Sequence, residues 1–129
     1  MLIAFIIDDD LDDQEIFTLV THEISDNVEC IFANDGMQAL NKLKTDASFT
    51  PGLIFIDINM PKVNGMQCLS EIKKIKRLQH VPVYMYSTSA EQAIVEQCKN
   101  YGAAGFIKKH IDTNDLKADL EKIISCLKT

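Results

Sequence analysis

Five of the six residues from position 8 to 13 are aspartates (Asp8, Asp9, Asp10, Asp12 and Asp13), and they follow directly on an apolar run ending in Ile6 and Ile7. Like charges repel most where a chain leaves a low-dielectric interior. A solvated acidic loop, a helix N-terminus or a bound cation would each make such a cluster tolerable. Other reactive side chains also close apolar runs: Asp57 after "LIFI", Ser87 and Thr88 after "VPVYMY", and Lys109 after "GFIK". Brought together, the carboxylates suit Mg²⁺, which takes a few carboxylates while water and a substrate phosphate complete its shell. Ser87 and Lys109 are donors suited to an anion beside the metal. Carboxylate nucleophile, metal, ammonium and hydroxyl are the parts of a phosphoryl-transfer site.

Whether those residues meet depends on the elements between them. Five β-like runs recur: 2–7, 28–33, 52–57, 81–86 and 104–108. Most are apolar throughout, as strands buried on both faces of a parallel sheet are. Helical periodicity fills the gaps: Ile16, Leu19, Val20 and Ile24; Met37, Leu40 and Leu43; Met66, Leu69 and Ile72; Ile94, Val95, Cys98 and Tyr101; and Leu116, Leu120, Ile123, Ile124 and Leu127. Pro51-Gly52 punctuates the third run, "SAEQ" (89–92) reads as a capping box, and Gly102 reads as a helix stop. Strict β-α alternation predicts a doubly wound parallel sheet with helices on both faces. Right-handed crossovers then bring every strand's C-terminal end to one edge, where such folds bind ligands. Asp8-Asp9, Asp57, Ser87-Thr88 and Lys109 are expected there, and the second strand ends in the unremarkable Ala33-Asn34. Asp12 and Asp13 are expected in the first turn of helix 1, and Asp10 in a solvated loop.

The bulk numbers narrow the class. A chain of 129 residues, 47% hydrophobic and 25% charged, reads as one soluble globular domain. No apolar run approaches the roughly 20 residues of a membrane span, and no signal peptide is evident, so a cytoplasmic location is expected. Cys30, Cys68, Cys98 and Cys126 form no C-x-x-C pair and are expected free, and His22, His80 and His110 pair with none of them at zinc spacing. A net charge of −6 argues against binding nucleic acid. An EF-hand loop from Asp8 would need glycine and an acid where Asp13 and Leu19 stand. "DDDLD" matches a D-D-x-x-D motif found in much larger all-helical terpenoid synthases. "DIN" at 57–59 lacks the second acid of haloacid-dehalogenase-type phosphatases, because Asn59 stands in its place.

Together, "FIIDDD", "LIFIDINMPKVNGMQCL", "VPVYMYSTSA" and "GAAGFIKKHI" resemble the receiver domain of two-component response regulators, over essentially the whole chain. The resemblance implies a flavodoxin-like sheet of order 2-1-3-4-5 and a single receiver domain over residues 1–129, standing alone without an effector domain. Asp57 resembles the phosphoacceptor. It implies that Asp9 binds Mg²⁺ (or Mn²⁺) directly, Asp8 mainly through water, and Asp57 and the Asn59 backbone carbonyl alongside them. Lys109 would pair with phosphoryl oxygens, Ser87 would hydrogen-bond the attached group, and Phe106 matches the switch aromatic. Side chains at Asn59 and Ser89 would tune the lifetime of the phosphorylated state. The implied donor is a sensor histidine kinase or histidine phosphotransfer protein, and the implied output is a downstream protein bound through residues about 90–127. The chain departs from the family pattern in having His110 where proline often follows the lysine, with a cis bond. A cis bond without proline costs about 3 kcal/mol. It also has Ser87 for the commoner threonine, and Phe106 without a tyrosine hydroxyl. The alternative is a constitutive receiver-like interaction module that is not phosphorylated.

Overall fold

In the computed structural model, which describes residues 2–60, 63–88, 91–109 and 113–127, the apolar runs become five parallel strands. They are β1 (Leu2–Ile7), β2 (Val28–Ala33), β3 (Leu53–Asp57), β4 (Val83–Ser87) and β5 (Gly105–Lys108). The helices are α1 (Leu11–Ile24), α2 (Gly36–Thr45), α3 (Gly65–Lys73), α4 (Gln92–Asn100) and α5 (Thr113–Leu127), with one 3-10 turn at Lys76–Leu78. The sheet is doubly wound, as expected from the alternation, and its strand order is 2-1-3-4-5, the flavodoxin-like order that the resemblance implies. β1 and β2 coincide with the apolar runs; β3 and β5 each start one residue later, and β4 is shifted to run from Val83 to Ser87.

Alternation along each strand divides the interior in two. Phe5, Ile7, Ile54, Ile56, Val83 and Met85 face one way, into a core closed by Leu40 and Leu43 of α2, Leu69 and Ile72 of α3, and Cys98 of α4. Ala4, Ile6, Leu53, Phe55 and Tyr86 face the other way, against Phe17 and Val20 of α1 and Leu116, Leu120 and Ile123 of α5. Burial on both sides explains why the strands read as continuous apolar runs.

Several expectations change. Leu19 and Met37 are 59% and 57% exposed, because the stripes of α1 and α2 that meet the sheet are centred on Phe17 with Val20, and on Ala39, Leu40 and Leu43. Tyr101 caps α4 instead of continuing its buried face, and is 47% exposed. α4 begins at Gln92, with Glu91 as N-cap; the first two residues of "SAEQ" lie outside the described residues. Gly102 ends α4 at a φ of 99°, a conformation that L side chains rarely adopt. The cysteines are free, with Cys68 and Cys98 buried and Cys126 exposed.

Gly65 ties the fold to the sheet edge. At the first position of α3, after an Asn64–Gln67 capping box, a Cβ there would lie 2.5 Å from the Asp57 carbonyl oxygen and 2.7 Å from the Ile58 Cα. Neither backbone atom can turn aside. Gly65→Ala is therefore expected to lower stability by about 1–3 kcal/mol in urea unfolding. Gly52→Ala should cost less, since its Cβ meets only the movable tip of Leu2, at 2.6 Å. Equal losses would contradict this reading of Gly65.

Candidate functional site

Sheet register decides which side chains meet at the C-terminal edge. Ile7 pairs with Ile56, and Asp57 pairs with Tyr86. Asp8, one step beyond Ile7, therefore stands beside Asp57 on the α1/α5 side of the sheet. Asp8 is fully buried and Asp57 is 3% exposed, whereas Asp9 is exposed. One oxygen from each of Asp8, Asp9 and Asp57 lies within 4.8 Å of the others. Two buried carboxylates and one exposed carboxylate fit a hard divalent cation, with an open side for water and a phosphate ligand.

Each carboxylate is held in place. Asp8 Oδ1 accepts the Asp10 N–H at 2.9 Å, and Asp8 Oδ2 accepts the Tyr86 hydroxyl. Asp57 Oδ1 accepts the Asn59 N–H at 3.0 Å, and the Lys109 ammonium lies 3.2 Å from Oδ2. Lys109 Nζ is also 2.7 Å from Asp13 Oδ2, 3.8 Å from Asp8 Oδ2 and 4.9 Å from the Tyr86 ring centroid. The Lys109 backbone N–H donates to the Ser87 carbonyl at 2.8 Å, which anchors this turn to β4. Ser87, the last residue of β4, is buried, and its hydroxyl accepts from the Asn59 side-chain amide at 3.1 Å.

Burial pushes the Asp8 carboxyl up to about 7, against the downward pull of the Tyr86 hydroxyl, the Asp10 N–H and the Lys109 ammonium. Burial also raises the Tyr86 phenol well above its ordinary range, reinforced by the Asp8 charge. For Lys109, burial opposes the charged form, but the Asp13 hydrogen bond and the charges of Asp57, Asp8 and Asp13 outweigh it and raise its value.

The structure thus gathers Asp8, Asp9, Asp57, Asn59, Ser87 and Lys109 at one edge. Phe106 is half-buried in the core on the α2–α4 side, on the face that Ser87 shares through the Met85–Phe106 and Ser87–Lys108 pairs. Ser89, His110 and the Lys109–His110 peptide bond lie outside the described residues.

Three aspects were not anticipated. Asp10 is exposed in the turn before α1, as expected, but it is also the N-cap of that helix, accepting the N–H groups of Asp12 and Asp13. Asp13 does sit in the first turn of α1, but it also binds Lys109. Once Asp10 is recognised as a cap, a residue three further on is positioned to reach back over the sheet edge. Tyr86 reads as strand filler inside "VPVYMY", although its parity in β4 matches that of Asp57 in β3 only when the register is known.

The arrangement concentrates negative charge around one ammonium, so neutralising a carboxylate should relieve the metal-free protein. Asp57→Asn, which preserves side-chain shape, is expected to stabilise it by on the order of 1 kcal/mol in urea unfolding. The same variant should lose most of the stabilisation that added Mg²⁺ gives the unsubstituted protein. Destabilisation in the absence of metal would contradict this electrostatic picture.

A family model described as the response regulator receiver domain matches residues 4–121. Chemotaxis protein CheY-3 of Vibrio cholerae is 33% identical over 96 residues, covering 74% of this chain and 71% of its own length. The two-component response regulator-like protein APRR1 of Arabidopsis thaliana is 34% identical over 103 residues, 79% of this chain. This chain spans only 16% of APRR1's length, and less than two thirds of several other curated relatives. Among solved structures, the Mn²⁺-bound form of response regulator Rcp1 superposes with a TM-score of 0.84 at 26% identity, covering 97% of this chain and 93% of that one. The CheY of Borrelia burgdorferi in complex with CheX, BeF₃ and Mg²⁺ gives 0.80 at 26% identity, covering 95% and 89%. With its family motif, its fold and its acidic edge in agreement, this chain belongs to the response regulator receiver domain family, whose members are signalling domains.

Proposed function

We propose that this protein is a phosphorylation switch in which Asp57 accepts a phosphoryl group from a phosphohistidine on a sensor kinase or histidine phosphotransfer protein. The observation that carries the proposal is Asp57 itself. It is a carboxylate 3% exposed at the end of a buried strand, with the Lys109 ammonium 3.2 Å from one oxygen and carboxylates of Asp8 and Asp9 beside it. A structural role alone gives no reason to assemble that charge.

An Asp57 oxygen attacks phosphorus in line, the phosphorus–nitrogen bond to histidine breaks, and the imidazole leaves with the bonding electron pair. Water later attacks phosphorus and releases inorganic phosphate, which regenerates the carboxylate. Asp8, Asp9, Asp57 and the Asn59 backbone carbonyl would hold a divalent cation, which would supply charge neutralisation for the phosphoryl oxygens. Lys109 reaches the same oxygens by transferring its ammonium from the Asp57 carboxylate to the new group. The Ser87 hydroxyl, which accepts from Asn59 in the unmodified protein, turns to donate to the phosphoryl group. The loop after β4 follows it, and Phe106 fills the space released. Residues about 90–127 then present the altered face to a downstream protein; the CheY of Borrelia burgdorferi has been solved in complex with CheX, BeF₃ and Mg²⁺. We read residues 1–129 as one receiver unit acting in the cytoplasm; no described helix is long and apolar enough to cross a membrane.

Incubation with acetyl phosphate and Mg²⁺, followed by intact mass, tests the reading. One hydroxylamine-labile adduct is expected, absent after chelation and absent in Asp57→Asn. No adduct where another receiver labels would favour a constitutive interaction module. Asp13→Asn releases Lys109 from its 2.7 Å contact and is expected to raise the initial labelling rate roughly 2- to 5-fold. An unchanged rate would show that Asp13 does not compete for the ammonium.

A further inference from the structure

Tyr86 lies inside β4, 2% exposed, with its ring centroid 5.3 Å from that of Phe17 and 6.5 Å from that of Phe55. A tyrosine so deep in a core needs a partner for its hydroxyl. The partner here is Asp8 Oδ2, at the point where the aromatic cluster meets the acidic edge. The other oxygen of Asp8 accepts the Asp10 N–H at 2.9 Å, so the carboxylate is gripped at both ends. Lys109 Nζ lies 3.8 Å from that same Oδ2, farther than from its partners on Asp13 and Asp57. The hydroxyl therefore occupies the oxygen that the ammonium would otherwise draw in.

We propose that Tyr86 is a positioning residue for the divalent cation site. Its hydroxyl holds the Asp8 carboxylate in the orientation shared with Asp9 and Asp57 and keeps it from collapsing onto Lys109. The proposal rests on the cation reading above and adds to it a hydrogen bond that sets cation affinity from outside the ligand set. Partners of this kind, which orient ligating carboxylates without touching the metal, typically account for 10- to 100-fold in affinity. A core role alone would leave affinity untouched.

Tyr86→Phe keeps the ring and its packing and removes the hydroxyl. Titration with Mn²⁺, with the free ion followed by electron paramagnetic resonance, should show one ion per unsubstituted chain and binding about 10-fold weaker or more in the variant. Matching affinities in a variant that retains cooperative unfolding would overturn the proposal. A second measurement does not depend on that variant folding. The chain has three tyrosines and no tryptophan, so its near-ultraviolet absorption reports tyrosine environments. Saturating Mg²⁺ should perturb that absorption in a Tyr84→Phe/Tyr101→Phe double variant, in which Tyr86 is the tyrosine left. A flat difference spectrum from that variant while it binds Mn²⁺ normally would also overturn the proposal. If the unsubstituted protein binds no Mn²⁺, the cation reading itself fails, and the role of Tyr86 fails with it.

Discussion

The Lys109 ammonium lies within 4 Å of carboxylate oxygens of Asp13, Asp57 and Asp8, at 2.7, 3.2 and 3.8 Å. Two of these carboxylates are almost wholly withdrawn from water. Desolvating charge is costly unless it is paired and hydrogen-bonded, and removing one partner of a buried pair leaves the other uncompensated. One ammonium does not balance three carboxylates, to which Asp9 adds a fourth nearby. The surplus negative charge is what makes the edge suited to a divalent cation. Burial answers part of the surplus by pushing Asp8 toward its neutral form. Backbone N–H groups from Asp10 and Asn59 answer another part.

The rest of the fold keeps this corner in register. Parallel pairing of β1, β3 and β4 sets Asp8, Asp57 and Tyr86 in one row. A slip of one residue in any of these strands would turn its reactive side chain toward the opposite core. Continuous burial on both faces makes such a slip expensive, so the apolar runs that fill the interior also aim the carboxylates. Gly65 brings the start of α3 against the Asp57 backbone, and the Asp10 cap starts α1 so that Asp13 overhangs the same edge. Ser87 and Phe106 lie toward the other core, which separates the groups that hold charge from the groups that would transmit a change.

Much of this was legible in the residues. β1 matched its apolar run because four of its six residues are buried, and Asp57 stood out because an acid closing "LIFI" has no packing rationale. The misses share a physical cause. Leu19 and Met37 fit a helical spacing, but periodicity does not reveal where on a helix the sheet makes contact. Tyr86 and Asp13 look like core filler and helix-dipole charge because their significance arises from partners 78 and 96 positions away. Such pairings follow from register and helix placement, which local sequence does not encode. Asp10 was the exception: its capping role was available locally, since an aspartate immediately before a helix is a strong N-cap.

The measurement that bears most directly on the acidic edge is a two-dimensional amide spectrum of the protein titrated with Mg²⁺. Saturable shifts confined to the backbone around Asp8 to Asp10, Asp57 to Asn59, Ser87 and Lys109 are expected, with α5 and the far ends of the strands unmoved. Shifts centred on acidic residues elsewhere, or none at Mg²⁺ concentrations that saturate another receiver, would contradict the assignment of this edge as the cation and phosphoryl site.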